Sequence, residues 1–244
     1  MKPKSKILSL LLAICLVVGL MPTAAFAAGA DTGKAIQLVD SGTAANISGG
    51  QADNIYFGTY KQSSDGNNRY NVDPIKWRVL SNADGKLFLL SDQNLDVFQY
   101  DVGLEGVTWE TSTMRSWLNG YGASSNTGGT NGIDYSRDNF IDTAFSAKEQ
   151  GVIADTTVVN KDNPDQGTDG GNDTTDKIFL LSIGEARSSN YFANDNSRKG
   201  TNTAYVAGGG KINSHISAGV GETNSWWLRS PDYFDGYAAL VDIR

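Results

Sequence analysis

Trp226-Trp227-Leu228-Arg229-Ser230-Pro231, near the end of a 244-residue chain, is the stretch around which the rest of the fold is read. Side chains alternate along an extended run, so two adjacent tryptophans point to opposite faces. One indole can anchor a core while the other covers a second layer or meets a ligand. Arg229 falls on the same side as Trp227. Pro231 has no N–H to give to a ladder and ends the strand. Arg229 is expected to be structural, pairing with a carboxylate or capping backbone carbonyls. Downstream lie Asp232, Tyr233, Phe234 and Asp235, then a last strand from Tyr237 to Ile243.

Upstream, the pattern builds a framework for this strand to close. Asn54 to Tyr60 reads as the first firm strand, rich in aromatic residues. Ile75 to Leu80 alternates apolar and basic positions, turns through Asn82-Ala83-Asp84-Gly85, and returns as Lys86 to Leu90, a hairpin with a central-strand character. Lys76 and Arg78 share its wetter face. Thr111 or Ser112 can cap a helix whose apolar face carries Met114, Trp117 and Leu118, with Asn119-Gly120 as its stop. Ser124 to Gly132 is an exposed loop by composition. Phe140, Ile141 and Phe145 pack inward from a short helix or turn. Ser146/Glu149 and Ser182/Glu185 have capping-box spacing, the second leading into a helix to about Tyr191. Thr156 to Val159 and Lys177 to Leu181 read as strands. Ala193 to Asn224 shows little periodicity and reads as a loop of a length that is usually functional or disordered.

The N-terminus has the layout of a secretory signal peptide. Lys2, Lys4 and Lys6 precede an apolar run from Ile7 to Leu20, followed by Pro22 and the small-x-small site Ala25-Phe26-Ala27. The run is short for a membrane span, and Cys15 sits inside it rather than at a lipoprotein cleavage point. Residues 1–27 are therefore assigned as a signal peptide, 28–53 as an N-terminal extension or edge strand, and 54–244 as a single α+β domain. Cleavage removes three lysines and takes the formal charge from −7 to −10. It also removes the one cysteine, leaving an exported chain without disulfides, which suits a Gram-positive exporter. So acidic a surface argues against nucleic acid and against insertion into an anionic membrane after cleavage.

The chemistry of catalysis is thinly represented. His215 is the one histidine, in a Gly/Ser/Asn-rich context, and no Gly-x-Ser-x-Gly elbow occurs. Zinc and iron would call for several His or Cys ligands. Calcium is the metal worth weighing: Asp162, Asp165, Asp169, Asp173 and Asp176 lie between glycines, yet their order is not that of an EF-hand, and an acidic solvated loop is the preferred reading. No cofactor or metal is assigned. Whether two carboxylates stand at the separation glycoside hydrolysis needs is a question for the fold. Trp, Tyr and Asp on loops are equipment for recognising sugars and proteins.

Several runs recur together in order: Tyr56 to Tyr60, Pro74 to Leu80, Leu87 to Ser91, Thr113 to Asn119, Ala144 to Ser146, Asp176 to Ser182 and Trp226 to Pro231. The set resembles an uncharacterised domain-of-unknown-function family common in secreted and surface proteins of gut Firmicutes, and covers Ile55 to Ile243. That family is more distantly similar to the C-type-lectin-like fold of formylglycine-generating-enzyme relatives. The resemblance implies an α+β domain of twisted antiparallel strands, a few short flanking helices and long loops. The enzymatic branches of that fold use cysteines or several histidines, so their activity does not carry over. Family members continue past the equivalent of Ile243 into further strand, so a truncated C-terminus is expected. The expectation is a secreted, non-enzymatic binding module for an extracellular glycan or surface protein, with Trp226, Asp232, Tyr233, Asp235 and Tyr237 as ligand-binding residues. The alternatives are a polysaccharide hydrolase using Asp/Glu pairs and a structural spacer of a larger surface protein.

Overall fold

The computed structural model describes residues 9–19, 55–84, 86–103, 106–122, 133–234 and 236–242. The expected cleavage site after Ala27, the expected 28–53 extension and the loop expected at Ser124 to Gly132 lie outside the described residues. Within them the chain is mixed α/β, mostly strands with short helices. In order, the elements are β1 (Ser9–Leu12), β2 (Cys15–Gly19), β3 (Ile55–Ser64), β4 (Tyr70–Ala83), β5 (Lys86–Ser91), β6 (Gln93–Asn94), β7 (Asp96–Gln99), α1 (Thr113–Asn119), α2 (Phe140–Ala144) and α3 (Ala147–Gln150). There follow β8 (Thr156–Val158), β9 (Thr174–Asp176), β10 (Ile178–Phe179), α4 (Ile183–Ala186), α5 (Asp195–Arg198), β11 (Gly200–Asn202), α6 (Ala204–Ala207), β12 (Thr223–Asn224), β13 (Trp226–Pro231) and β14 (Ala238–Val241).

Two open sheets carry the architecture. One runs β14-β13-β1-β7, the other β10-β2-β5-β4-β3; smaller sheets are β12-β11-β6 and β8-β9. Most pairs are antiparallel, but β1 lies parallel to β13 and β11 parallel to β6. The apolar N-terminal run thus lies in both large sheets, crossing from one to the other at Ala13-Ile14. Ile14 donates its N–H to Ser91 Oγ at 3.2 Å and accepts from Ser91 N at 3.0 Å, which fixes the crossing point.

The local readings hold at most element ends. Ser112 caps α1 by accepting from Arg115 N, and Gly120 closes it in the left-handed conformation. Both capping boxes form, at Ser146/Glu149 and Ser182/Glu185. α4 stops at Ala186 rather than near Tyr191, because the turn after it is held by Arg187 N and Ser188 N bonding back to Ile183 and Glu185 carbonyls. The Ala193 to Asn224 segment is no plain loop. It contains α5, β11, α6 and β12, each too short to set up a period, and is tied down by Arg78 Nη1 donating to Ser197 O at 2.7 Å.

The core is aromatic. Phe98 stacks on Trp117 at 4.3 Å between ring centres, Trp117 meets Phe140 edge-on, and Phe140 meets both Tyr60 and Phe145. Such pairs add roughly 0.5–1.5 kcal/mol beyond the area they bury. Gly58, at φ +68°, is required where β3 passes under this cluster, since a Cβ there would overlap the Phe145 ring.

Candidate functional site

Strand β13 is buried along its whole length, so neither tryptophan faces solvent. Trp226 is 1 % exposed and donates its Nε1–H to Arg198 O at 3.0 Å. Trp227 donates to Phe98 O and packs against Tyr100. Trp226 therefore does not join the other predicted ligand-binding residues: sheet pairing on both edges, with Leu11 and Val241, and α5 beside its indole enclose it. Arg229 is structural in both expected ways. Its guanidinium pairs with Glu185 and donates to Leu180 O at 2.7 Å and Val159 O at 3.1 Å. Burial alone would raise the Glu185 carboxyl, but the Arg229 charge and the Ser182 hydrogen bonds outweigh it and hold that carboxyl below its usual range.

The turn between β13 and β14 is where side chains meet solvent. Asp232 N donates to Tyr237 O at 2.7 Å and Tyr237 N to Phe234 O at 3.0 Å, closing a tight loop that leaves no interior for its side chains. Tyr233, Phe234 and Tyr237 are 61 %, 62 % and 56 % exposed. Phe234 meets Tyr233 edge-on at 4.6 Å and Tyr237 at 6.3 Å. The other large exposed hydrophobics among the described residues lie elsewhere, and solitary ones are ordinary. A contiguous aromatic group is not. Asp232 is exposed beside them; Asp235 lies outside the described residues.

This turn borders a cleft of about 340 Å³ whose polar rim includes Asn163, Asp165, Gln166, Arg187, Asp232 and Asp242, with Leu228 and Ile183 in its floor. Asn163 builds that rim. Its Oδ1 accepts from Asp165 N and Gln166 N, turning the chain as Asn does, while its Nδ2 donates to Pro231 O at 2.8 Å. Thr168 Oγ1 adds a bond to Tyr233 O, so the acidic loop leans directly on the aromatic turn. Across the cleft Arg187 grips Asp165 through both oxygens, at 3.0 and 2.6 Å, and its hydrogen bonds hold the Asp165 carboxyl below its usual range.

The loop's remaining carboxylates are engaged locally. Asp162 accepts from Gly170 N, Asp169 from Gly171 N and Asp173 from Asn160 N. Asp176 is buried and takes bonds from Trp109, Arg115, Tyr121 and Thr174. Among the described residues no three His, Cys, Asp or Glu side chains gather as a metal would need. His215 is exposed on the loop after α6.

The aromatic turn is visible in the sequence, whereas Asn163, Gln166 and Arg187 join it only through the fold. The Asn163-Pro164 pair favours a turn, but nothing in the sequence says that this turn folds against Pro231.

The fold and site together define a strand-rich α/β domain with an aromatic turn beside a polar cleft. The chain belongs to the family described as "Domain of unknown function (DUF6273)", whose model matches residues 84–243. No curated protein and no solved structure matches it.

Proposed function

We propose that this chain is an extracellular, non-enzymatic binding module of C-type-lectin-like character, exported by its N-terminal leader, whose ligand is a glycan. The observation that carries the reading is the exposed group Tyr233, Phe234 and Tyr237 on the turn whose Asp232 lines the polar cleft. Aromatic faces supply apolar contact to the C–H side of a sugar ring, while Asn, Gln, Asp and Arg donors and acceptors fix its hydroxyls. Asp232 belongs to both surfaces and links them.

A glycan array, with parallel pull-downs from mucus and cell-wall extracts, tests the proposal. Retention of a glycan that is lost on replacing the three aromatics with alanine is the expected result. Capture of a surface protein through the same three residues would move the ligand class, and no retention at all would overturn the reading. The hydrolase alternative rests on Asp165, Asp232 and Asp242 sharing the cleft rim. Release of reducing sugar from a retained polysaccharide would favour it.

A further inference from the structure

The segment Ser9–Gly19 occupies a place that no other described part of the chain fills. β1 pairs with β7 from Ser9↔Gln99 to Leu12↔Asp96 and touches β13 at Leu11↔Trp226. β2 pairs with β5 from Cys15↔Leu90 to Gly19↔Lys86 and with β10 at Cys15 and Leu16. In the strand orders β7 and β13 are neighbours of β1, not of each other, and the same holds for β5 and β10 about β2. Taking the segment away would split both large sheets and leave facing rows of backbone N–H and C=O groups unpaired inside the protein. Ala13, Ile14, Cys15 and Leu16 are each no more than 3 % exposed. Ala154 N also donates to Val17 O at 2.8 Å, so the seat is gripped from outside the sheets too.

On the proposed reading of the N-terminus as an export leader, on which this inference rests, the same residues belong to its apolar run. One segment cannot both leave with the leader and remain as the middle strand of two sheets. We infer that β7 and β13, with β5 and β10, frame a strand-accepting slot, filled in the full chain by Ser9–Gly19 and able, once vacated, to take an uncharged, apolar, extended segment of a partner polypeptide. Backbone pairing on both sides would supply affinity, and the buried seats now held by Ile14 and Leu16 would supply selectivity for apolar side chains. The segment contains no charged residue, and a charge placed between two sheets would have no water to solvate it. This site is separate from the aromatic turn, so loss of glycan binding leaves it untouched.

Two measurements on the full chain, produced without export, test the slot. Cys15 is the one cysteine and is buried, so a thiol reagent reports whether the segment is seated. Its reaction should be at least about 100-fold slower in the native protein than in urea, as for a group released by substantial opening. In a Cys15→Ser chain carrying a protease site between residues 30 and 50, cutting frees the N-terminal piece from its tether. A labelled synthetic peptide of residues 7–20 should then exchange into the protein one to one, and a version with Leu16→Asp should not. Cys15 reacting at the unfolded rate in the native chain would overturn the inference. So would a cut protein that loses its N-terminal piece, keeps its thermal midpoint and takes up neither peptide.

Discussion

Arg229 and Glu185 form an ion pair in which one partner also caps a helix. Glu185 accepts from Ser182 N and Ser182 Oγ in the α4 capping box and, through the same carboxylate, receives the guanidinium of a side chain only 4 % exposed. Strand β13 and helix α4 thereby share one carboxylate, beside the hydrogen bond that Ile183 N donates to Ser230 Oγ at 3.0 Å. Glu185→Gln should cost about 3–5 kcal/mol, because it leaves the Arg229 charge buried with its partner gone. The double variant Glu185→Gln/Arg229→Met should lose less than the sum of its singles, as expected for groups in direct contact. Urea unfolding of the four proteins measures this.

Gly58→Ala should destabilise by about 1–3 kcal/mol through overpacking against Phe145, in a backbone conformation that alanine adopts poorly. Trimming the obstruction in Phe145→Leu/Gly58→Ala should recover part of that loss. Thermal midpoints of the set decide it.

The Asp96 carboxyl gives a pH signature. Burial raises it to about 6, against hydrogen bonds from Tyr60 Oη, Lys211 N and Val97 N that act to lower it. Between 3.8 and about 6 the folded chain keeps a proton that the unfolded chain has released. The contribution of this group to stability is therefore fully present at low pH and is lost as pH rises through that window, by about 3 kcal/mol at most. Glu185, held low, works the other way and loses its contribution as pH falls. Subtracting the stability curve of Asp96→Asn from that of the wild type isolates the first effect. The difference should decline from pH 4 to pH 6.

The legible part of this fold was whatever is decided by neighbours in sequence. Helix α1 with its Ser112 and Gly120 ends, both capping boxes and the β4–β5 hairpin follow from local chemistry, and the sequence displays them. What was hidden depends on long-range company. Trp226 reads as an ambidextrous residue because alternation allows one of two adjacent tryptophans to face solvent. Both are buried because β13 has neighbours on both edges and α5 supplies the Arg198 carbonyl that receives the Trp226 indole N–H. The apolar run at Ser9–Gly19 has the composition of a leader and of a central strand alike, and periodicity cannot separate them. At the candidate site, Asp232, Tyr233 and Tyr237 were visible as a polar-aromatic turn. Asn163 and Arg187 became part of that site only through the Asn163–Pro231 contact, across a separation no local pattern reports.

Because the aromatic turn lies outside the core, its side chains should be separable from folding. Tyr233→Ala and Tyr237→Ala should each leave stability within about 0.5 kcal/mol of wild type, as surface changes away from packing usually do. Trp227→Ala, by contrast, should cost about 3–5 kcal/mol. Denaturant midpoints distinguish the two groups.

Titration of the folded protein with a glycan retained on an array, followed by calorimetry beside the Tyr233→Ala/Phe234→Ala/Tyr237→Ala variant, tests the binding-module account most directly. The expected result is saturable binding by the wild type, at least about tenfold weaker in the variant, as for residues that anchor an interface. Unchanged affinity in a folded variant, or no glycan bound by the wild type, would contradict it.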